Sequence, residues 1–184
     1  CWPVTSWATL EYGGRWKLSH NMAKDFFAPV LVTAIPDPNR SQRFEVRVVS
    51  DLEDLSDVPR LDATSFGPFD MAAVQGMEGE ATGHLVELQA FSGERAVSAA
   101  NWIADAPAKA YDFPEPKLSW TVSGDSVTVR AETLALFVQL ESDARGHFQD
   151  GGFFLVPGEE RVIRFTGESH FADTLTVRSL RDSY

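Results

Sequence analysis

From residue 30 onward, apolar and polar residues alternate in short runs that glycine and proline cut apart. This pattern, more than any single residue, constrains the fold. Phe44, Val46 and Val48 interleave with Glu45 and Arg47, and Leu134, Leu136, Val138 and Leu140 with Ala135, Phe137, Gln139 and Glu141. A period of two sends successive side chains to opposite faces of a sheet, so such runs form half-buried strands. Residues 30–34, 85–91, 118–122, 127–131, 153–156, 161–165 and 175–180 read the same way. Gly124-Asp125, between Ser123 and Ser126, suits a two-residue hairpin turn. Short strands at this spacing beyond Pro116 predict an antiparallel β-sandwich of immunoglobulin-like type.

The start of the chain has a different texture. Trp16, His20, Ala23, Phe26 and Phe27 recur at three- and four-residue spacing, predicting a helix over about 14–27 that ends before Pro29. Asp, Gly and Pro make 51–62 and 66–83 look like long or poorly paired connections. Pro107, Pro114 and Pro116 make 104–117 the best candidate for an interdomain linker, with a boundary near Pro116.

Charge and cysteine content narrow the partners. Twenty-seven acidic against sixteen basic side chains leave a net charge of −11, which argues against nucleic acid and anionic membrane as partners. No apolar run approaches the ~18–20 residues that span a bilayer. The lone cysteine, Cys1, excludes an internal disulfide framework and a Cys-based zinc cage, so packing must hold the fold. A chain that starts at Cys rather than Met is expected either to be a piece of a larger polypeptide or to begin at a lipid-bearing residue. The compartment is open; an acidic surface and one cysteine are compatible with a bacterial cytoplasm.

Catalytic patterns are sparse. There is no Gly-rich phosphate loop, no Gly-x-Ser-x-Gly elbow and no His-Glu-x-x-His helix. His20 reads as a packing residue, while His84, His147 and His170 are scattered. Asp143, His147 and Asp150 in the loop SDARGHFQDGG, and Asp51, Glu53, Asp54 and Asp57 in DLEDLSD, could gather around a cation, but both read more simply as solvated turns. No metal or cofactor is implied. The aromatic start stands out, with Trp2, Trp7, Tyr12 and Trp16 close together beside Pro3, Gly13 and Gly14. Flat aromatic faces can stack on the C–H face of a sugar ring, so Trp2 and Trp7 are candidates for a ligand wall as well as for core.

Those residues also carry a family resemblance. Trp2-Pro3, Ser6-Trp7, Gly14-Arg15-Trp16-Lys17 and the run FFAPV at 26–30 resemble the segment of glycoside hydrolase family 2 β-mannosidases that follows the last barrel strand. AANWIADAPAKAYDFPEPKLSW, FQDGGFFLVPGEERVIRF and TVRSLRDSY resemble the linker and closing β-domain of those enzymes. The sequence departs from the family's pattern at Glu11, where Asp is usual, at Gly13, where an aromatic residue is common, and at Gly151-Gly152, where a polar-aromatic pair is expected.

The resemblance implies a mainly β chain. Two immunoglobulin-like antiparallel β-sandwich domains, 28–115 and 116–184, would be preceded at 1–27 by a loop and one α-helix from the end of a (β/α)₈ barrel. Its partners would be the catalytic barrel of the parent polypeptide and, through it, a terminal β-mannoside. A retaining glycosidase needs two carboxyl groups about 5–5.5 Å apart. In this family both are glutamates on earlier barrel strands, so the chain itself is expected to hydrolyse nothing. Loops at the C-terminal ends of barrel strands build the site, which makes Trp2 and Trp7 the expected substrate-binding residues. Deprived of a barrel, the apolar helix stripe is expected to dock on its own sandwich or to self-associate. A non-catalytic carbohydrate-binding module, with Trp102, Trp120 or Phe137 as an exposed platform, and a protein-interaction sandwich are the alternatives.

Overall fold

The alternating runs fold as antiparallel strands in a computed structural model that describes residues 8–39, 43–51, 62–70, 85–104, 113 and 115–183, with 43, 62–70 and 85 described by backbone alone. Trp2, Trp7, Glu53, Asp54, Asp57, His84 and most of the proline-rich 104–117 segment lie outside the described residues. Two compact units emerge, one combining Cys1–Lys24 with Phe113–Tyr184 and the other comprising Asp25–Asp112. The architecture is mainly β with one α-helix, α1 (Leu18–Phe26), among the described residues.

In the Asp25–Asp112 unit, β1 (Val30–Pro36), β2 (Arg43–Ser50) and β3 (Asp62–Asp70) form an antiparallel sheet in that order. Val30 faces Ser50 and Pro36 faces Phe44. The β3 strand corrects the expectation of poorly paired chain at 66–83 for its first residues. Phe69 faces Phe44 and Phe66 faces Val46, so Gly67-Pro68 occupies a bulge opposite Glu45. Proline lacks an N–H and is tolerated on an edge strand at such a bulge. The 85–91 run divides into β4 (Leu85–Leu88) and β5 (Phe91–Ser92), followed by β6 (Arg95–Ala96) and β7 (Asn101–Ala104). Strand β4 pairs with β7 and β5 with β6. Val30, Val32 and Val48 form the core here, and Asn101 Nδ2 donates to the Val32 carbonyl at 2.8 Å.

The other unit contains β8 (Leu118–Ser123), β9 (Ser126–Ala131), β10 (Ala135–Glu141), β11 (Gly146–Phe148), β12 (Phe153–Leu155), β13 (Glu160–Gly167) and β14 (Thr176–Arg178). They make a four-stranded sheet in the order β11-β13-β9-β8 and a three-stranded sheet in the order β12-β10-β14. Seven strands divided four and three, all antiparallel, give an Ig-like domain. The β8–β9 hairpin closes at Ser123↔Ser126, and Gly124 takes φ 60°, the sign needed at the first central position of a II′ turn.

Val127 and Val129 on β9, Val138 on β10, Leu155 on β12 and Ile163 on β13 are buried in the middle of this unit. Each such side chain contributes about 1.5–3 kcal/mol. This core also packs Phe148, Phe165 and Phe171 together, with Phe165 stacked on Phe171 at 4.5 Å and Phe148 tilted against Phe165 at 4.9 Å. The uninterrupted alternation expected from Leu134 to Glu141 is broken by a bulge. Ala135 faces Leu155 but Val138 faces Phe153, and Phe137 absorbs the extra residue at φ 52°. Two further differences bear on the site below. The loop SDARGHFQDGG contains the strand β11, and the expected helix start at 14 is displaced to Leu18.

Candidate functional site

The two candidate sugar-wall residues, Trp2 and Trp7, lie outside the described residues, but the segment that carries them is described from Ala8 onward. Two adjacent glycines, Gly13 and Gly14, take φ 91° and 85° and turn the chain back on itself. Lys17 N then donates to the Thr9 carbonyl at 3.0 Å, Glu11 N donates to the Arg15 carbonyl at 2.9 Å, and Leu10 bridges Trp16. This closed turn explains the late helix start. Trp16 belongs to the turn rather than to α1, because its neighbours' backbone groups pair across the turn instead of along a helix.

The turn and helix rest on the Ig-like domain. The Trp16 indole stacks on the His147 imidazole of β11, with centroids 4.3 Å apart and planes 6° from parallel. His20 of α1 meets the same indole edge-on at 4.6 Å, and its Nδ1 lies 2.9 Å from Thr9 Oγ1. Burial pushes His147 below the usual histidine value, and the nearby His20 adds to the shift. Arg15, Asn21, Glu141 and Ser142 complete a cleft around these rings. It has room for about one water molecule, too little for a sugar or cofactor.

One turn further on, the helix sits on a glycine pair. Asn21, 4% exposed, packs against Gly151, and Leu18 packs against Gly152, where a Cβ would stand 2.5 Å from Leu18 Cδ1. Asp150 accepts from Gly151 N at 2.9 Å and pairs with Arg161 at 2.6 Å and Lys24 at 3.8 Å. Asn21 and the glycine pair thus define the seat of the helix. A polar residue flanked by apolar positions gives no periodic signal, so the apolar stripe did not reveal it. The stripe's last members face out instead, with Phe26 51% and Phe27 81% exposed.

Of the imagined cation loop, His147 is engaged with Trp16 and Asp150 with two cations and a backbone N–H, so the three residues do not converge. No group of three or more His, Cys, Asp or Glu that could hold a metal occurs among the described residues. His170 lies by Glu168 at 3.5 Å on the surface. As for a flat platform, Trp102 and Phe137 are half-buried, and Phe137 packs edge-on against Phe154 at 4.9 Å. Trp120 is 42% exposed on the edge strand β8, in register with the buried Val129 and two residues from the exposed Val122.

Comparison with known proteins agrees with this architecture. The family model described as an Ig-fold domain, Ig_mannosidase, matches residues 113–183. Beta-mannosidase A of Aspergillus terreus is 27% identical across 98% of this chain and 24% of that protein. The mouse beta-mannosidase is 49% identical across 51 residues, 28% of this chain and 6% of that protein. The crystal structure of the beta-D-mannosidase from Dictyoglomus thermophilum shares the fold with a TM-score of 0.71 at 18% identity, over 98% of this chain and 25% of that one. This chain therefore spans about a quarter of the length of the relatives that it matches end to end. These likenesses bear out the resemblance: the chain is similar along its length to a segment of β-mannosidases, and residues 113–183 match the model of their Ig-fold domain.

Proposed function

We propose that the chain is a non-catalytic accessory and scaffold part of a longer β-mannosidase-like retaining glycoside hydrolase, which cleaves terminal β-mannosides. The observation that carries this reading is the match along 98% of the chain to a β-mannosidase of which it covers only 24%. In this reading 1–27 is the last loop and helix of the catalytic barrel, followed by sandwich domains at 28–115 and 116–184. Trp2 and Trp7 help wall the mannose site, and both catalytic glutamates lie in the barrel outside this sequence. The exposure of Phe26 and Phe27 supports it, since two adjacent phenylalanines at a helix end are costly to leave in water and suit a face that the barrel covers.

The test compares the chain with the longer polypeptide on p-nitrophenyl β-D-mannoside, following the anomer formed by NMR. The longer protein is expected to release β-mannose first, as retention requires, and the 184-residue chain to release none. Hydrolysis by the chain alone, or none by the longer protein, would overturn the reading.

A further inference from the structure

We propose that strand β8 is a docking edge for a second copy of this chain, pairing antiparallel with its own counterpart about a twofold axis at Trp120. The two sheets of the Ig-fold domain end in β11, β8, β12 and β14. Three of these edge strands have only three residues, whereas β8 has six, with no charge and no proline among them. A sheet edge is normally blunted by shortening, charging or bulging it. Strand β8 instead runs through six successive pairs with β9 without a bulge, and no strand pairs with its other side among the described residues. The side chains fall into two rows. Leu118, Trp120 and Val122 stand opposite the buried Ala131, Val129 and Val127, and cross-strand partners share a face, so these three form the core-side row. The core leaves that row part-covered, with Trp120 42% and Val122 40% exposed. Ser119, Thr121 and Ser123 make the outer row and are exposed.

The backbone presents the same row. Ser123 and Ser126 close a two-residue turn and so form a hydrogen-bonded pair, and such pairs alternate along an antiparallel ladder. Ser119, Thr121 and Ser123 therefore direct their backbone groups to β9, while Leu118, Trp120 and Val122 direct theirs to the open edge. A second β8 that meets them antiparallel, with Trp120 on Trp120, sets Leu118 against Val122 and Ser119 against Thr121. Apolar side chains then meet on the core side and hydroxyls on the outer side. This self-matching selects a second copy as the occupant, because a twofold contact requires a patch complementary to itself. The flanks agree: antiparallel approach brings the Lys117 end of one copy to the Asp125 end of the other, where the charges are opposite.

The experiment is sedimentation velocity over a concentration series, on the 184-residue chain and on the longer polypeptide. Mass should rise from one copy to two and stop there, because the pairing covers both open edges. Val122→Pro removes one N–H from the open edge and leaves the β9 ladder whole, so it should weaken dimerisation roughly tenfold or more. Trp120→Lys, which puts a charge on the paired row, should do the same and serves if proline disturbs β8; melting temperatures check that both variants fold. Val162→Lys, 63% exposed on the outer face of β13, should leave the dimer unchanged. A monomer at every concentration would overturn the proposal. So would a dimer that survives Val122→Pro and Trp120→Lys and dissociates when Phe26 and Phe27 are both changed to serine, since the association would then belong to the helix end. A dimeric 184-residue chain beside a monomeric longer polypeptide would also overturn it and assign β8 to a contact within that polypeptide. The hydrolysis assay tests the glycosidase reading separately, and neither result decides the other.

Discussion

The indole of Trp16 and the imidazole of His147 lie face to face, 4.3 Å apart and 6° from parallel, although the turn and the strand that carry them are distant in sequence. This stack makes the N-terminal turn and the Ig-fold domain one packed unit. His20 meets the indole edge-on, and Arg15 and Glu141 line the cleft beside it.

The stack makes stability sensitive to acid. Burial first, and His20 second, hold His147 below the usual histidine value of about 6.5. The folded state therefore prefers neutral His147, and between the two values the unfolded chain binds the extra proton. Stability is fully present above about pH 6.5 and is lost as pH falls toward and through the lowered folded value. Melting temperatures taken from neutral pH down to about pH 5 should fall more steeply for the wild type than for His147→Phe. Parallel profiles would show that His147 does not carry the effect.

The helix seat predicts a contrast between two glycines. Gly152 has φ 78° and Leu18 Cδ1 where a Cβ would go, whereas Gly158 has φ 86° and nothing within 4 Å. Gly152→Ala adds overlap to backbone strain and should cost about 2–4 kcal/mol in urea unfolding, while Gly158→Ala should cost about 1–2. Equal losses would mean that Leu18 gives way freely and that the helix seat is loose.

A second contrast concerns the phenylalanine cluster. Phe171 is 2% exposed against Phe165 and Phe148, so Phe171→Ala should destabilise the Ig-fold domain by about 3–5 kcal/mol. Phe91, 58% exposed, should tolerate the same change within roughly 0.5 kcal/mol. Chemical denaturation followed by near-UV circular dichroism reads both, and a small loss at Phe171 would place the weight of the core elsewhere.

How much of this was legible in the sequence depended on whether a residue's role was local. The β8–β9 hairpin could be read because Gly124-Asp125 and the alternation on either side are short-range signals. The break at Phe137 could not, since its bulge is fixed by pairing with β12. Strand β3 was hidden for a similar reason, because Gly67-Pro68 reads as a loop until β2 offers an edge to bulge against. In the site, the aromatic cluster drew attention to the turn, but Trp16 looked helical because three-residue spacing cannot reveal that Gly13 and Gly14 reverse the chain. His147, Asn21 and Gly151-Gly152 matter through long-range contacts, which no local pattern records. The family pattern did mark Gly151-Gly152 as a departure, and those glycines are where Asn21 and Leu18 of the helix pack.

The same seat makes a last prediction through Asp150. Its carboxylate caps Gly151 N and pairs with Arg161 on β13 and with Lys24 on α1, and it is only 21% exposed. Lys24 also donates to the Gln149 carbonyl at 2.9 Å, so the end of the helix is held twice. Arg161 is 44% exposed and lies over the Phe153 ring, which limits what its charge alone contributes. Replacing both Asp150 and Arg161 by alanine in a double-mutant cycle should therefore give a coupling of roughly 0.5–1 kcal/mol. That coupling should shrink as salt is raised, because water reaches one partner. Asp150→Ala alone should cost more than the coupling, since it also strips the Gly151 N–H of its acceptor. A coupling near zero, with the whole loss in the single Asp150 variant, would assign the residue to the turn and leave the helix held by Asn21 and the glycine pair.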